Sequence, residues 1–72
     1  MPTIAENIRH HRKRRKLTQL ALARKMGLQG EVDGSAFVCR VENGKQVPLV
    51  ETLHRFAVAL EVNVEKLLKG TK

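Results

Sequence analysis

The chain has 72 residues and carries 14 Lys+Arg against 7 Asp+Glu, a net charge of +7 with a pI near 10.4. So short a chain buries only a limited core and has no room for a second sensing or catalytic domain, so 1–72 reads as one domain. A single cysteine, Cys39, excludes an internal disulfide; no run approaches the roughly 18–20 continuous apolar residues of a membrane span, and the N-terminus lacks a signal peptide's order, so a soluble cytoplasmic protein is expected.

Hydrophobic periodicity predicts short helices and no strand alternation, an all-α class. Thr3 followed by Glu6 is a capping box, which starts a first helix at about Ile4 and runs it to about Arg15. Ile4, Ile8 and Arg12 share one face of that helix, so Arg12 turns toward the core and its basic neighbours stay more exposed. Thr18 caps a second helix over about Gln19–Met26, in which Leu22, Ala23 and Met26 face inward and Gly27 supplies a left-handed end. A loop from Leu28 to Gly34 follows, and Ser35 offers an N-cap to a third helix across Ala36–Glu42, stopped by Asn43-Gly44. After Pro48, Val50, Leu53, Phe56, Ala57 and Leu60 keep the spacing of a buried helical face. Asn63 then caps a last helix, Val64–Leu68, in which Leu67 and Leu68 close the core ahead of a polar tail, 69–72.

The charge is one-sided. Residues 1–27 hold eight Lys/Arg against Glu6, while 28–72 balance six against six. A basic end of this kind suits a polyanion, because neutralising phosphates releases condensed counterions. The run Arg9–Lys16 admits three readings, a targeting tract, a nucleic-acid patch or a solvated helix face; within a helix it reads as a solvated face with mild attraction for DNA. His10 and His11 are adjacent and diverge on a helix, His54 is remote, and no Cys or carboxylate set completes a tetrahedron, so no metal or other cofactor is expected. No nucleophile–base pair, paired carboxylates or phosphate-cradling glycine loop supports catalysis, and no enzyme is expected. Cys39 reads as a small residue of suitable size rather than a redox switch.

Leu17-Thr18-Gln19, Val38-Cys39-Arg40-Val41-Glu42-Asn43-Gly44-Lys45, Pro48-Leu49-Val50-Glu51-Thr52-Leu53 and Ala57-Val58-Ala59-Leu60-Glu61-Val62 resemble, in order and spacing, the phage repressor and Cro family of helix-turn-helix proteins, the XRE type. The family's docking on DNA is itself a standard example of the mode. The resemblance covers nearly the whole chain and implies a compact five-helix domain whose second and third helices form the DNA-reading pair, with the third in the major groove. It places Ser35, Ala36, Cys39 and Arg40 against base edges, with Arg40 the principal reader through two hydrogen bonds to guanine. It places Thr18, Gln19, Asn43, Gly44 and Lys45 on phosphates and makes Arg12 and Glu42 a structural ion pair. The implied partners are double-stranded DNA and a second copy of the chain, and the implied role is a nucleoid-associated transcriptional regulator that represses.

Several features depart from the family. The segment between the second and third helices is longer, by roughly Gln29–Asp33, and its acids Glu31 and Asp33 suggest a loop turned away from DNA. Lys16 stands where a small turn residue is usual, Leu20 and Ala21 where acids are usual, and Pro48-Leu49 brings no Ser cap. A second class of function remains: an antitoxin or adaptor that uses the same fold to bind protein, against which the absence of a wrapping tail after Leu68 speaks.

Overall fold

The computed structural model describes residues 3–28 and 34–69. The expected inserted segment, 29–33, and the last three residues of the polar tail, 70–72, lie outside the described residues. Within them the chain forms five helices and no strand: α1 (Ile4–Arg14), α2 (Gln19–Lys25), α3 (Gly34–Glu42), α4 (Val50–Leu60) and α5 (Val64–Leu68). The class is all-α, as the periodicity predicts, and no helix among the described residues is long and apolar enough to cross a membrane. The radius of gyration, 10.9 Å, is close to the roughly 11 Å of a folded chain of this length.

Two helix starts follow from their cap residues. The Thr3 hydroxyl accepts from the Glu6 N–H at 3.1 Å while the Glu6 carboxylate accepts from the Thr3 N–H at 3.0 Å. The Thr18 hydroxyl accepts from the Ala21 N–H at 3.0 Å. The other starts differ from expectation. α3 begins at Gly34, so Ser35 lies inside the first turn and is not its N-cap. Gly34 is buried against α2, where an added Cβ would sit 3.2 Å from the Leu28 carbonyl oxygen and 3.3 Å from the Ala23 Cβ; the missing side chain lets α3 start two residues earlier in close contact. Asn63 flanks α5 with an extended backbone, but its side chain makes no capping bond, and neither does Leu49 ahead of α4.

Four helix ends share one device. After α1, α2, α3 and α4 a residue turns left-handed: Lys16 at φ +58°, Gly27 at +80°, Gly44 at +74° and Glu61 at +58°. The next N–H then reaches back to a carbonyl five residues earlier, from Leu17 to Arg12, Leu28 to Ala23, Lys45 to Arg40 and Val62 to Ala57, at 2.9–3.1 Å. This doubles the chain back and satisfies carbonyls that the helix end would otherwise leave bare. Leu17, Leu28 and Val62 pack on the core from that position, as the motif favours; Lys45 stands in the corresponding place after α3 and is exposed.

Glycine adopts this conformation freely, whereas lysine and glutamate are strained in it. The side chain of Lys16 has no hydrogen-bond or ion-pair partner among the described residues, so Lys16→Gly is expected to stabilise the fold by about 0.5–1 kcal/mol, the relieved strain less the entropy of glycine. A thermal melt should show the midpoint rising by several degrees; a fall would show that the turn is not strained. Glu61→Gly should gain less, because the Glu61 carboxylate lies 3.4 Å from the Arg15 guanidinium and 3.9 Å from the Lys25 ammonium.

The core is shared by all five helices. Ile8, Leu22, Val38, Phe56, Leu60 and Leu67 are each fully buried. The predicted inward stripe of α4 holds for Leu53, Phe56, Ala57 and Leu60 but not for Val50, which is 72% exposed; it is the helix's first residue, a turn ahead of the first core contact at Leu53. Leu68 is likewise 40% exposed. In a single-turn helix Val64 and Leu67 share the inner side at three-residue spacing, which turns Leu68 outward.

Candidate nucleic-acid interface

The carboxylate of Glu42 is the junction at the foot of α3. Its side chain is 0% exposed and that of Arg12 is 13% exposed. Arg12 donates from Nε to one carboxylate oxygen at 2.6 Å and from Nη2 to the other at 3.0 Å, and from Nη1 to the Leu17 carbonyl at 2.8 Å. Gln19 donates its Nε2 to the same carboxylate at 3.2 Å. The planar guanidinium matches the carboxylate in fork geometry, and one buried acid ties α1, α3, the turn after α1 and the start of α2. Among the described residues, no buried side-chain nitrogen or oxygen lacks a partner.

The basic run of α1 is only partly a solvated face. Arg9 donates from Nη2 to the Glu42 carbonyl and to the Asn43 side-chain oxygen, both at 3.2 Å. Arg15 donates from Nε to the Leu60 carbonyl at 3.0 Å and from Nη2 to the Glu61 carbonyl at 3.4 Å. Arg9, Arg12 and Arg15, three residues apart, thus each hold a carbonyl at a helix end or turn. Arg9 and Arg15 are structural residues that sequence reasoning left among the exposed cations; the spacing from Arg12 is the signal that would have found them.

On α3 the buried side is Gly34, Val38, Val41 and Glu42. With successive residues about 100° apart, Ser35, Ala36, Cys39 and Arg40 fall on the remaining arc, the first three half-buried and Arg40 exposed. Arg40 is not a free arm. Its Nε donates to the Gln46 side-chain oxygen at 3.1 Å, and its guanidinium carbon lies 6.0 Å from the Phe37 ring centre. Phe37 in turn stacks on Phe56 at 6.3 Å with 20° between the planes. The core of α4 therefore supports the ring beneath Arg40. Gln46 and Phe37 are positioning residues that the sequence did not single out.

The five residues expected on phosphates divide. Thr18, Asn43, Gly44 and Lys45 are exposed. Gln19 is half-buried with its amide on Glu42, so its donor already serves the junction. Asn43 is engaged within the protein on both sides of its amide, accepting from Arg9 and donating to the Cys39 sulfur at 3.2 Å. Gly44 makes the left-handed turn that leaves Lys45 projecting beyond the end of α3. α2 and α3 are the most extensively packed pair of helices, so the two elements form one packed unit. His10 and His11 lie edge to face at 5.1 Å, and among the described residues no three His, Cys, Asp or Glu side chains come together as a metal site would require. No protein-family model, curated protein or solved structure matches this chain.

Proposed function

We propose that the chain is a sequence-specific binder of double-stranded DNA, with α2 and α3 as a helix-turn-helix pair and the outer arc of α3 in the major groove. The observation that carries this reading is the surface of α3: Arg40 held in place by Gln46 and Phe37, small side chains at Ser35, Ala36 and Cys39 on the same arc, and Lys45 directed outward where the other helix ends place an apolar residue. A major groove about 12 Å wide admits a helix whose outward residues are small, and a pre-oriented guanidinium gives two hydrogen bonds to guanine O6 and N7. The net charge of +7 supplies non-specific attraction for a polyanion.

The chain acts as a homodimer that sets two copies of α3 about 34 Å apart along the duplex and represses by blocking access. Support for a protein contact comes from Val47, Leu49 and Val50, three largely exposed apolar residues within four positions, a cluster that an interface would cover. The same cluster favours the second reading, an antitoxin or adaptor whose partner is a different protein; sedimentation of the chain on a defined duplex separates the two, since the homodimer requires two protomers per site.

Two variants test the duplex contacts. Arg40→Ala should reduce discrimination between a preferred duplex and one with a changed base pair by about 1–3 kcal/mol. Lys45→Ala should weaken every duplex alike and lower the slope of log affinity against log salt by about one. If Arg40→Ala and Lys45→Ala behaved identically on all sequences, α3 would not be reading bases.

A further inference from the structure

We propose that the groove between α1 and α5 is a binding site for a small phosphate-bearing anion of the pyrophosphate type, separate from the duplex-binding face. The recess has a volume of about 530 Å³, with His10, His11 and Arg14 on one wall and Lys66 and Lys69 on the other. It continues past His11, Arg14 and Lys66 to Arg15. A half-open recess of this size admits a compact polyanion.

The two helices that form the walls are fixed in relation to each other. Asn7, on the floor, donates its side-chain N–H groups to the carbonyls of Leu67 at 2.7 Å and Lys69 at 2.9 Å. Among the described residues one acid, Glu6, lines the recess, and its carboxylate accepts from the Thr3 N–H in the capping box. Arg14, Lys66 and Lys69 are exposed and have no ion-pair partner among the described residues, so three cations line the recess against one acid, Glu6. A dianionic or trianionic ligand offsets that excess, and each phosphate also offers several acceptor oxygens. Burial holds His11 below its ordinary pKa, and His10, Arg14, Lys66 and Arg15 push it the same way. A bound anion reverses the sign of the local field and raises the His11 pKa, so ligand uptake draws in a proton.

This site stands on the opposite side of α1 from the duplex contacts. Arg9 and Arg12 reach the foot of α3, while Asn7, His11 and Arg14 border α5. It is therefore independent of the DNA-binding reading.

The test is calorimetric titration of the full chain with inorganic pyrophosphate, with a nucleoside diphosphate as a second arm, while the ring protons of His10 and His11 are followed by NMR. Saturable one-to-one binding is expected, with the His11 pKa rising in the bound form. Arg14→Gln and Lys66→Gln, verified as folded by thermal melting, should each weaken it about tenfold, because a charge-assisted hydrogen bond is worth roughly that factor; Lys45→Gln should leave it unchanged. Tighter binding of the nucleoside diphosphate would assign the group to a nucleotide. Heats that do not saturate, or a His11 pKa that stays the same on titration, would overturn the proposal. So would stoichiometric displacement of pyrophosphate by duplex DNA, which would make the groove part of the duplex face.

Discussion

Replacing Glu42 with alanine is expected to cost about 3–5 kcal/mol, since it strands a buried guanidinium. A domain of 72 residues is stable by roughly 4–11 kcal/mol in all, so the variant should sit near its folding threshold at ambient temperature. The effect is large because the carboxylate, fully shielded from solvent, serves Arg12 through both oxygens and also receives Gln19. Removing both charges together should cost less: in the Arg12→Met, Glu42→Met double variant no buried charge is left alone. It should not recover fully, because the Leu17 carbonyl loses the donor it has at 2.8 Å. Urea titration reads the difference as a shift in midpoint at similar slope. A Glu42→Ala loss below about 1 kcal/mol, the range of exposed pairs, would show that the pair behaves as a surface contact.

Phe56→Ala should be of similar size, about 3–5 kcal/mol, through lost burial and the cavity left behind. Phe56 is the largest side chain that is fully buried, and it backs Phe37, the ring beneath Arg40. Phe56→Leu retains most of the volume and should cost less than about 1.5 kcal/mol. It removes the aromatic stack, however, so it separates the two roles. Folded Phe56→Leu protein with reduced base discrimination would link the core of α4 to the reading arc of α3. Unchanged discrimination would show that the stack on Phe56 is not needed to keep Phe37 and Gln46 against Arg40.

The helices were legible wherever local chemistry decides them. Thr3 with Glu6, Thr18, Gly27 and Gly44 are cap and turn signals that act within a few residues, and the structure uses each. The start of α3 was not legible, because it depends on how closely Gly34 approaches Ala23 and the Leu28 carbonyl, a tertiary contact. Lys16 and Glu61 take left-handed turns against their own preference, and only the packing of Leu17 and Val62 behind them explains why the chain bends there. In the candidate site, the four α3 residues came from the resemblance to the repressor and Cro family, not from periodicity, and they fall on the arc of α3 that the core leaves uncovered. The orientation of Arg40 was not legible, since Gln46 lies beyond the helix end and Phe37 depends on α4. Composition counted Arg9 and Arg15 as surface charge, yet their donors end on backbone carbonyls of other elements; charge totals do not record which cations the fold itself requires.

The most direct test is a guanine-modification interference experiment on duplexes selected by this protein from random-sequence DNA. Contact by α3 predicts enrichment of a two-fold symmetric motif, with loss of binding when particular guanine N7 atoms are methylated and insensitivity to those same methyl groups in Arg40→Ala. Selection that enriches no motif, or binding indifferent to every major-groove methyl group, would contradict it.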